Sequence, residues 1–184
     1  MTVTGETLKA VGSAKKGGCR LCPRNCGAKR EMEETGVCGQ TDMVKVARAA
    51  LHYWEEPCIS GEAGSGTVFF SGCALHCVFC QNKEIADGTA GKYITVERLA
   101  EIFLELQAKG ANNINLVTPG HFVPQIAEAL TRAKKRGLFL PVVYNTGSYE
   151  YADTLRLMEG LVDIYLPDFK YMDAGLAKRY SHAS

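Results

Sequence analysis

The sequence predicts an α/β fold: a parallel sheet built from βα units, preceded by a small cysteine-rich segment. Three observations carry this. Short β-type runs alternate with amphipathic helical runs about every 25–30 residues, the pattern of βαβ units. The runs richest in reactive side chains follow directly on the predicted strands, at the carboxyl ends where such sheets bind ligands. Seven of the eight cysteines fall into two tight groups, one ahead of this repeat and one at its first strand end.

Taken in order, residues 1–17 are small and polar and read as a mobile lead-in. Residues 18–62 form a cysteine-rich metal-binding segment and linker, in which turn residues (Pro23, Gly27, Gly36, Gly39) outweigh any apolar period. Within it, residues 44–51 are apolar and short, and leave strand or helix open. Residues 63–184 carry the repeat. Its first strand is predicted at 67–70. Thr95 is the N-cap of a first helix with Val96, Leu99, Phe103 and Leu106 at helical spacing and Gly110 as its stop. The second strand is 114–117. The second helix carries Phe122, Ile126, Leu130 and Ala133 and closes on Lys134, Lys135 and Arg136 before Gly137. A third strand at 141–144, a third helix at 153–159, a fourth strand at 162–166 and the start of a helix at 174–180 complete the pattern.

Composition narrows the function classes. Hydrophobic residues make up 46% and charged residues 22%, which argues against disorder. A net charge of +1 gives no long-range pull on nucleic acid or anionic membrane, and neither is expected as a partner. No apolar run approaches the ~20 residues of a membrane span. Residues 1–16 lack the apolar core of an export signal, so the expected compartment is the cytoplasm. A reducing compartment makes disulfides the weaker explanation of the cysteines, and their clustering favours metal.

The second group, Cys73, Cys77 and Cys80, has the spacing C-x3-C-x2-C on one loop, with Phe79 just before the last thiol. Four cysteines complete the ligation of a 4Fe-4S cluster; three leave one iron open to an outside ligand. The alternative is a structural zinc site borrowing His76. The first group, Cys19, Cys22, Cys26 and Cys38, supplies four thiols in about twenty residues, suiting either a closed zinc site or a second, auxiliary iron–sulfur cluster. Arg20, Arg24, Lys29 and Arg30 around it offset thiolate charge or sit in solvent. Cys58 reads as a small buried hydrophobe, residues 52–56 as a solvated loop, and Tyr144 and Tyr165 as half-buried strand aromatics.

Four runs resemble one family: GSGTVFFSGC at 64–73, NLVTPGHF at 115–122, YNTG at 144–147 and DIYLPDFKY at 163–171. Together with the cysteine spacing they resemble the radical S-adenosylmethionine (SAM) superfamily, in its pyruvate formate-lyase activating enzyme-like branch, and within it an uncharacterised subgroup with a cysteine-rich N-terminal segment. The resemblance implies a partial (β/α)6 radical SAM barrel, here ending after about four βα units, with SAM across the strand ends. The chain is therefore expected to stop inside its barrel, with an exposed apolar edge at the fourth strand and weak or absent turnover alone.

The same resemblance implies the chemistry. Cys73, Cys77 and Cys80 would hold a 4Fe-4S cluster whose open iron takes the amino and carboxylate groups of SAM. Reductive cleavage would then give a 5′-deoxyadenosyl radical for hydrogen abstraction. Thr118 to His121 stand where a Gly-Gly-Glu turn usually binds the SAM amino group, which leaves His121 as the substitute or the turn as a plain helix start. Asn145 and Thr146 match an Asp-Thr pair, and Asp168 and Lys170 an Asp-x-Lys, both beside the SAM carboxylate. The neutral Asn145 removes one charge from a cation site there; the plain alternative makes Asp168 and Lys170 a surface pair. A flavodoxin- or ferredoxin-type electron donor and a protein substrate activated to a glycyl radical are the implied partners. The competing readings are radical modification of a peptide or small molecule, and a metal-binding interaction module without turnover.

Overall fold

The computed structural model describes residues 18–183; the lead-in read at 1–17 lies outside the described residues. After a 3-10 turn at Arg30–Met32 the elements run β1 (Val44–His52), α1 (Pro57–Ser60), β2 (Ser65–Phe70), α2 (Lys83–Ala86), β3 (Lys92–Ile94), α3 (Val96–Ala108), β4 (Ile114–Val117), α4 (Val123–Lys135), β5 (Val142–Thr146), α5 (Ala152–Leu155), β6 (Ile164–Pro167) and α6 (Ala174–Ser181). One six-stranded sheet has the order β3-β1-β2-β4-β5-β6. The pairs β2–β4, β4–β5 and β5–β6 are parallel, as the repeat predicts. The pairs β1–β2 and β1–β3 are antiparallel, so the sheet is mixed.

Three features depart from the sequence reading. Residues 44–52, grouped there with the cysteine-rich segment and its linker, form β1 and lie inside the sheet against β2. Three-residue β3 is too short to show any period, and it exists by pairing Ile94 with Val44. The third helix is also split. Four α-helical residues are followed by a 3-10 turn at Arg156–Met158 before Gly160 turns the chain at φ +74°.

The helices follow from their end signals. Thr95 Oγ1 accepts the Arg98 N–H at 3.1 Å and starts α3. Pro124 sits in the first turn of α4, and Arg132, Lys134 and Lys135 face its C-terminal dipole. Leu99, Phe103 and Leu106 of α3 and Ile126, Leu130 and Ala133 of α4 are buried against Val68, Phe70, Ile114, Leu116, Val142 and Tyr144. Those strand residues share one pleat face. The opposite face carries Thr67 and Phe69, Asn115 and Val117, Val143 and Asn145, aligned across the sheet by register. One face therefore makes the core, and the other faces the concave side where a ligand would lie. Beyond β5 the sheet thins out: Ile164 is 38% and Tyr165 44% exposed on the edge strand β6.

Candidate cofactor site

The second cysteine group stands on the loop that leaves β2. Gly72 makes the turn at φ +89°, a conformation that costs a side-chain-bearing residue about 1–2 kcal/mol. Its N–H donates to Ile85 O at 2.7 Å, while Ser71 N–H donates to Lys45 O at 2.9 Å and Ser71 Oγ to Ala90 O at 2.5 Å. The base of the loop is thus tied to β1, to α2 and to the chain that follows α2. Cys73, Cys77 and Cys80, free thiols all, border one cleft of about 610 Å³.

The three thiols have distinct settings. Cys73 Sγ accepts the Leu75 N–H at 3.4 Å, and burial pushes its thiol up from 9.0. Ser181 Oγ donates to Cys77 Sγ at 2.8 Å, so the Tyr171 hydroxyl, 2.6 Å away, donates to Ser181 in turn. The Val78 N–H donates to Tyr180 O at 2.8 Å, which fastens the loop to the end of α6. Phe79 is 57% exposed and also borders the cleft. His76 points elsewhere: its Nε2 donates to Val37 O at 2.7 Å.

The end of β5 and the loops after β4 and β6 bring the other sequence-predicted residues to the same cleft. Thr118, His121, Asn145, Thr146, Asp168 and Lys170 all line it. Thr118 adopts φ +56°, and its N–H donates to Asn145 O at 3.0 Å, joining two of these loops. Lys170 Nζ pairs with Asp168 Oδ2 at 2.6 Å on the open side. His121 is buried, and its Nε2 donates to Ser71 O at 2.7 Å. That bond leaves the Nε2 lone pair unavailable to an ammonium group. Burial pushes the imidazole down to about 3, so it stays neutral.

The first cysteine group lies over the same end of the sheet. Cys22 borders the cleft with the triad. A Cβ on Gly36 would stand 3.4 Å from Cys26 Sγ and 3.5 Å from Cys38 Sγ, so these two thiols flank one small space that glycine leaves open. Burial pushes the Cys22 thiol up to about 11 and raises Cys38 as well. Among the described residues no three His, Cys, Asp or Glu side chains converge as the ligands of a single metal ion would. A cubane cluster is wider than one ion and holds its thiolates further apart. The triad, on one loop and facing one cleft, has the donor set of such a cluster, and bound metal charge would deprotonate its thiols.

Several residues differ from their sequence reading. Arg24 neither floats in solvent nor simply offsets thiolates: it donates to Ala74 O (2.6 Å), Leu75 O, Ser181 O (3.1 Å) and His182 O, locking the first segment onto the triad loop and α6. Arg30 is buried, 3.8 Å from Cys19 Sγ, and also holds His121 O at 2.8 Å. His52 and Glu55, read as part of a solvated loop, are half-buried and border the cleft; Trp54 is 89% exposed. Cys58, read as a buried hydrophobe, is exposed, because α1 turns it outward while burying Ile59 and Ser60. Tyr144, read as half-buried, is fully buried. Glu150 was missed. It lies three residues past the Tyr-Asn-Thr-Gly run, outside any recognisable spacing, and the bend after β5 brings it into the cleft.

Comparison with known proteins bears on this arrangement. The family described as the radical SAM superfamily matches residues 67–181, which span β2 to α6. An uncharacterized protein of Methanocaldococcus jannaschii is 30% identical over 170 residues, covering 89% of this chain and 48% of that protein. The chain thus spans about half the length of this curated relative. No helix among the described residues is long and apolar enough to cross a membrane.

Proposed function

Because the chain belongs to the radical SAM superfamily, we propose that it reductively cleaves SAM for hydrogen abstraction, with Cys73, Cys77 and Cys80 as the ligands of a 4Fe-4S cluster. The observation that carries this is the meeting of those three thiols and four strand-end loops around one cleft. When bound there, the cluster supplies the electron that breaks a sulfonium carbon–sulfur bond. The chain's own residues bind and position. The half-buried row beneath the cleft, Phe69, Val117 and Asn145, forms its floor, and Phe79 and Trp54 offer exposed faces at its margin. Lys170 stands at the open side as the cation for a carboxylate, with Asp168 holding its ammonium in place. Tyr171 and Ser181 direct a hydroxyl proton at Cys77 Sγ, a bond that lowers thiolate basicity and tunes an attached metal.

We assign the first cysteine group a structural metal or an auxiliary cluster, supported by Cys26 and Cys38 flanking one space and by Arg30 beside Cys19. A flavodoxin- or ferredoxin-type donor in the cytoplasm, and glycyl-radical formation on a protein partner, extend the reading by resemblance alone. The test is stoichiometric. Anaerobically reconstituted protein is reduced with dithionite and mixed with SAM, and 5′-deoxyadenosine is quantified. About one equivalent per reduced cluster supports the proposal; a reduced cluster that leaves SAM intact refutes it and favours a metal-binding module.

A further inference from the structure

The cleft has two ends. The triad follows the end of β2, whereas β1 runs antiparallel and its last residue, His52, pairs with Ser65 at the start of β2. At about 3.3 Å per residue, Ser65 and Phe70 stand roughly 17 Å apart. His52, Trp54 and Glu55 line the cleft away from the triad, and all three lie ahead of the family match, which begins at residue 67. The segment is held from several sides. The His52 ring stands edge-on to Phe69 at 5.8 Å. A Cβ on Gly64, at φ +86°, would stand 2.9 Å from Tyr53 Cε1, so the tyrosine ring closes on bare backbone. The Glu55 N–H donates to Ser60 Oγ at 3.1 Å, and Ser60 is buried.

Within that frame the Glu55 carboxylate is unanswered. Its side chain is only 13% exposed, yet it accepts no hydrogen bond among the described residues. Its charged neighbours are His52, at 3.9 Å and beyond hydrogen-bond reach, and Glu56, of its own sign. Burial raises its carboxyl above the ordinary value. A sheltered carboxylate without a donor is costly, and what this one opens to is the cleft. Trp54, next to it, lines the same space with a side chain that is 89% exposed. Lys170, which also lines the cleft, is engaged by Asp168 at 2.6 Å.

We propose that Trp54 and Glu55 form a substrate subsite for a cationic group, a guanidinium or an ammonium. The proposal rests on the radical SAM reading for one point, that the reacting carbon of the substrate faces the triad end. The carboxylate accepts N–H donors strengthened by charge, and the indole face attracts the cation. A planar guanidinium satisfies both at once, since it lies on an aromatic face while its edge meets a carboxylate. An anionic group would meet Glu55 and Glu56 and be turned away. A urea of the same shape keeps N–H donors and lacks the charge, so it separates recognition of charge from recognition of shape.

Trp54 is the only tryptophan of the chain, so its fluorescence reports the subsite directly. The reconstituted chain is titrated with an N-acetylated glycine-arginine-glycine amide, the same peptide with citrulline in place of arginine, and ethylguanidinium. Calorimetry gives a second readout. The arginine peptide should shift Trp54 emission and bind about 10- to 100-fold more tightly than the citrulline peptide, the worth of a hydrogen bond to a charge. Ethylguanidinium that binds as well as the arginine peptide marks a small-molecule substrate, and tighter peptide binding marks a peptide; either supports the subsite. Glu55→Gln should bind the two peptides alike. Trp54→Leu should weaken the arginine peptide about 2- to 5-fold by calorimetry. Glu62→Gln, at an exposed acid outside the cleft, should keep the wild-type preference. Thermal melts confirm that the variants fold; if Glu55→Gln does not, the wild-type preference and Trp54→Leu decide. Wild-type protein that binds the two peptides alike, or neither at millimolar concentration, overturns the subsite, as does Glu55→Gln that keeps the preference. SAM cleavage is read without these probes, so a failed subsite leaves the radical SAM reading standing. A subsite found on a chain that leaves SAM intact refutes only that reading.

Discussion

Gly72→Ala probes the junction between the two cysteine groups. Two penalties act at this position. The first is conformational: alanine at φ +89° costs about 1–2 kcal/mol. The second is steric. The new Cβ would press on the Cys38 carbonyl oxygen and stand 2.6 Å from Gln40 Cγ. The carbonyl is backbone and cannot swing aside, so the first cysteine segment must shift bodily, at about 1–3 kcal/mol. The sum is about 2–5 kcal/mol, which for a chain of this size lowers Tm by roughly 5–15 °C. Gly110→Ala is the matched control, with φ +83° and nothing within 4 Å of its Cβ. It pays only the conformational part, and its Tm should fall by about 2–6 °C. The assay is thermal denaturation of both variants, with iron content measured after reconstitution. Gly72→Ala should also bind less iron, because Cys73 follows the displaced residue. Equal melting shifts and equal iron in the two variants would refute the close approach of the segments.

Further outcomes follow from the same geometry. His121 takes up its proton near 6.5 when unfolded and only near 3 when folded. Its contribution is therefore complete above pH 6.5 and lost as pH falls through that window; urea titrations of His121→Gln should show a flatter acid limb. Glu150 has the opposite sign: its folded carboxyl is raised above 4.5, so stability is lost as pH rises past that value. Glu150→Gln should accordingly melt higher than wild type at pH 7 without SAM. Asp168→Ala frees Lys170 from its 2.6 Å partner and should weaken SAM binding several-fold; unchanged affinity by calorimetry would make the pair a surface feature. Metal analysis of the Cys73→Ala, Cys77→Ala, Cys80→Ala triple variant should find metal retained by the first cysteine group, zinc marking a structural site and iron a second cluster.

Much of the sheet was legible because its central strands β2, β4 and β5 are mostly buried and are separated by helices with plain end signals. Thr95, Gly110, Gly137 and the basic last turn of α4 sit where sequence puts them. What escaped depended on pairing between distant segments. Residues 44–52 became a strand because β2 offered an edge, which no local pattern states. Arg24 was unreadable as a clamp because its acceptors are backbone carbonyls about 50 and 157 residues away. The triad was legible as a candidate because its three thiols share one short loop, and they border one cleft. Glu150 was not, because only the bend after β5 brings it into the cleft, and no motif spacing marks that bend.

The central claim is that Cys73, Cys77 and Cys80 hold the redox-active cluster. The most direct measurement is EPR of the anaerobically reconstituted, dithionite-reduced chain beside Cys77→Ser, with SAM added to each. Wild type should give the signal of a reduced cubane cluster that changes shape when SAM binds, and Cys77→Ser should lack the responsive signal. A SAM-responsive signal that survives in Cys77→Ser, or no reducible cluster in wild type, would contradict the account.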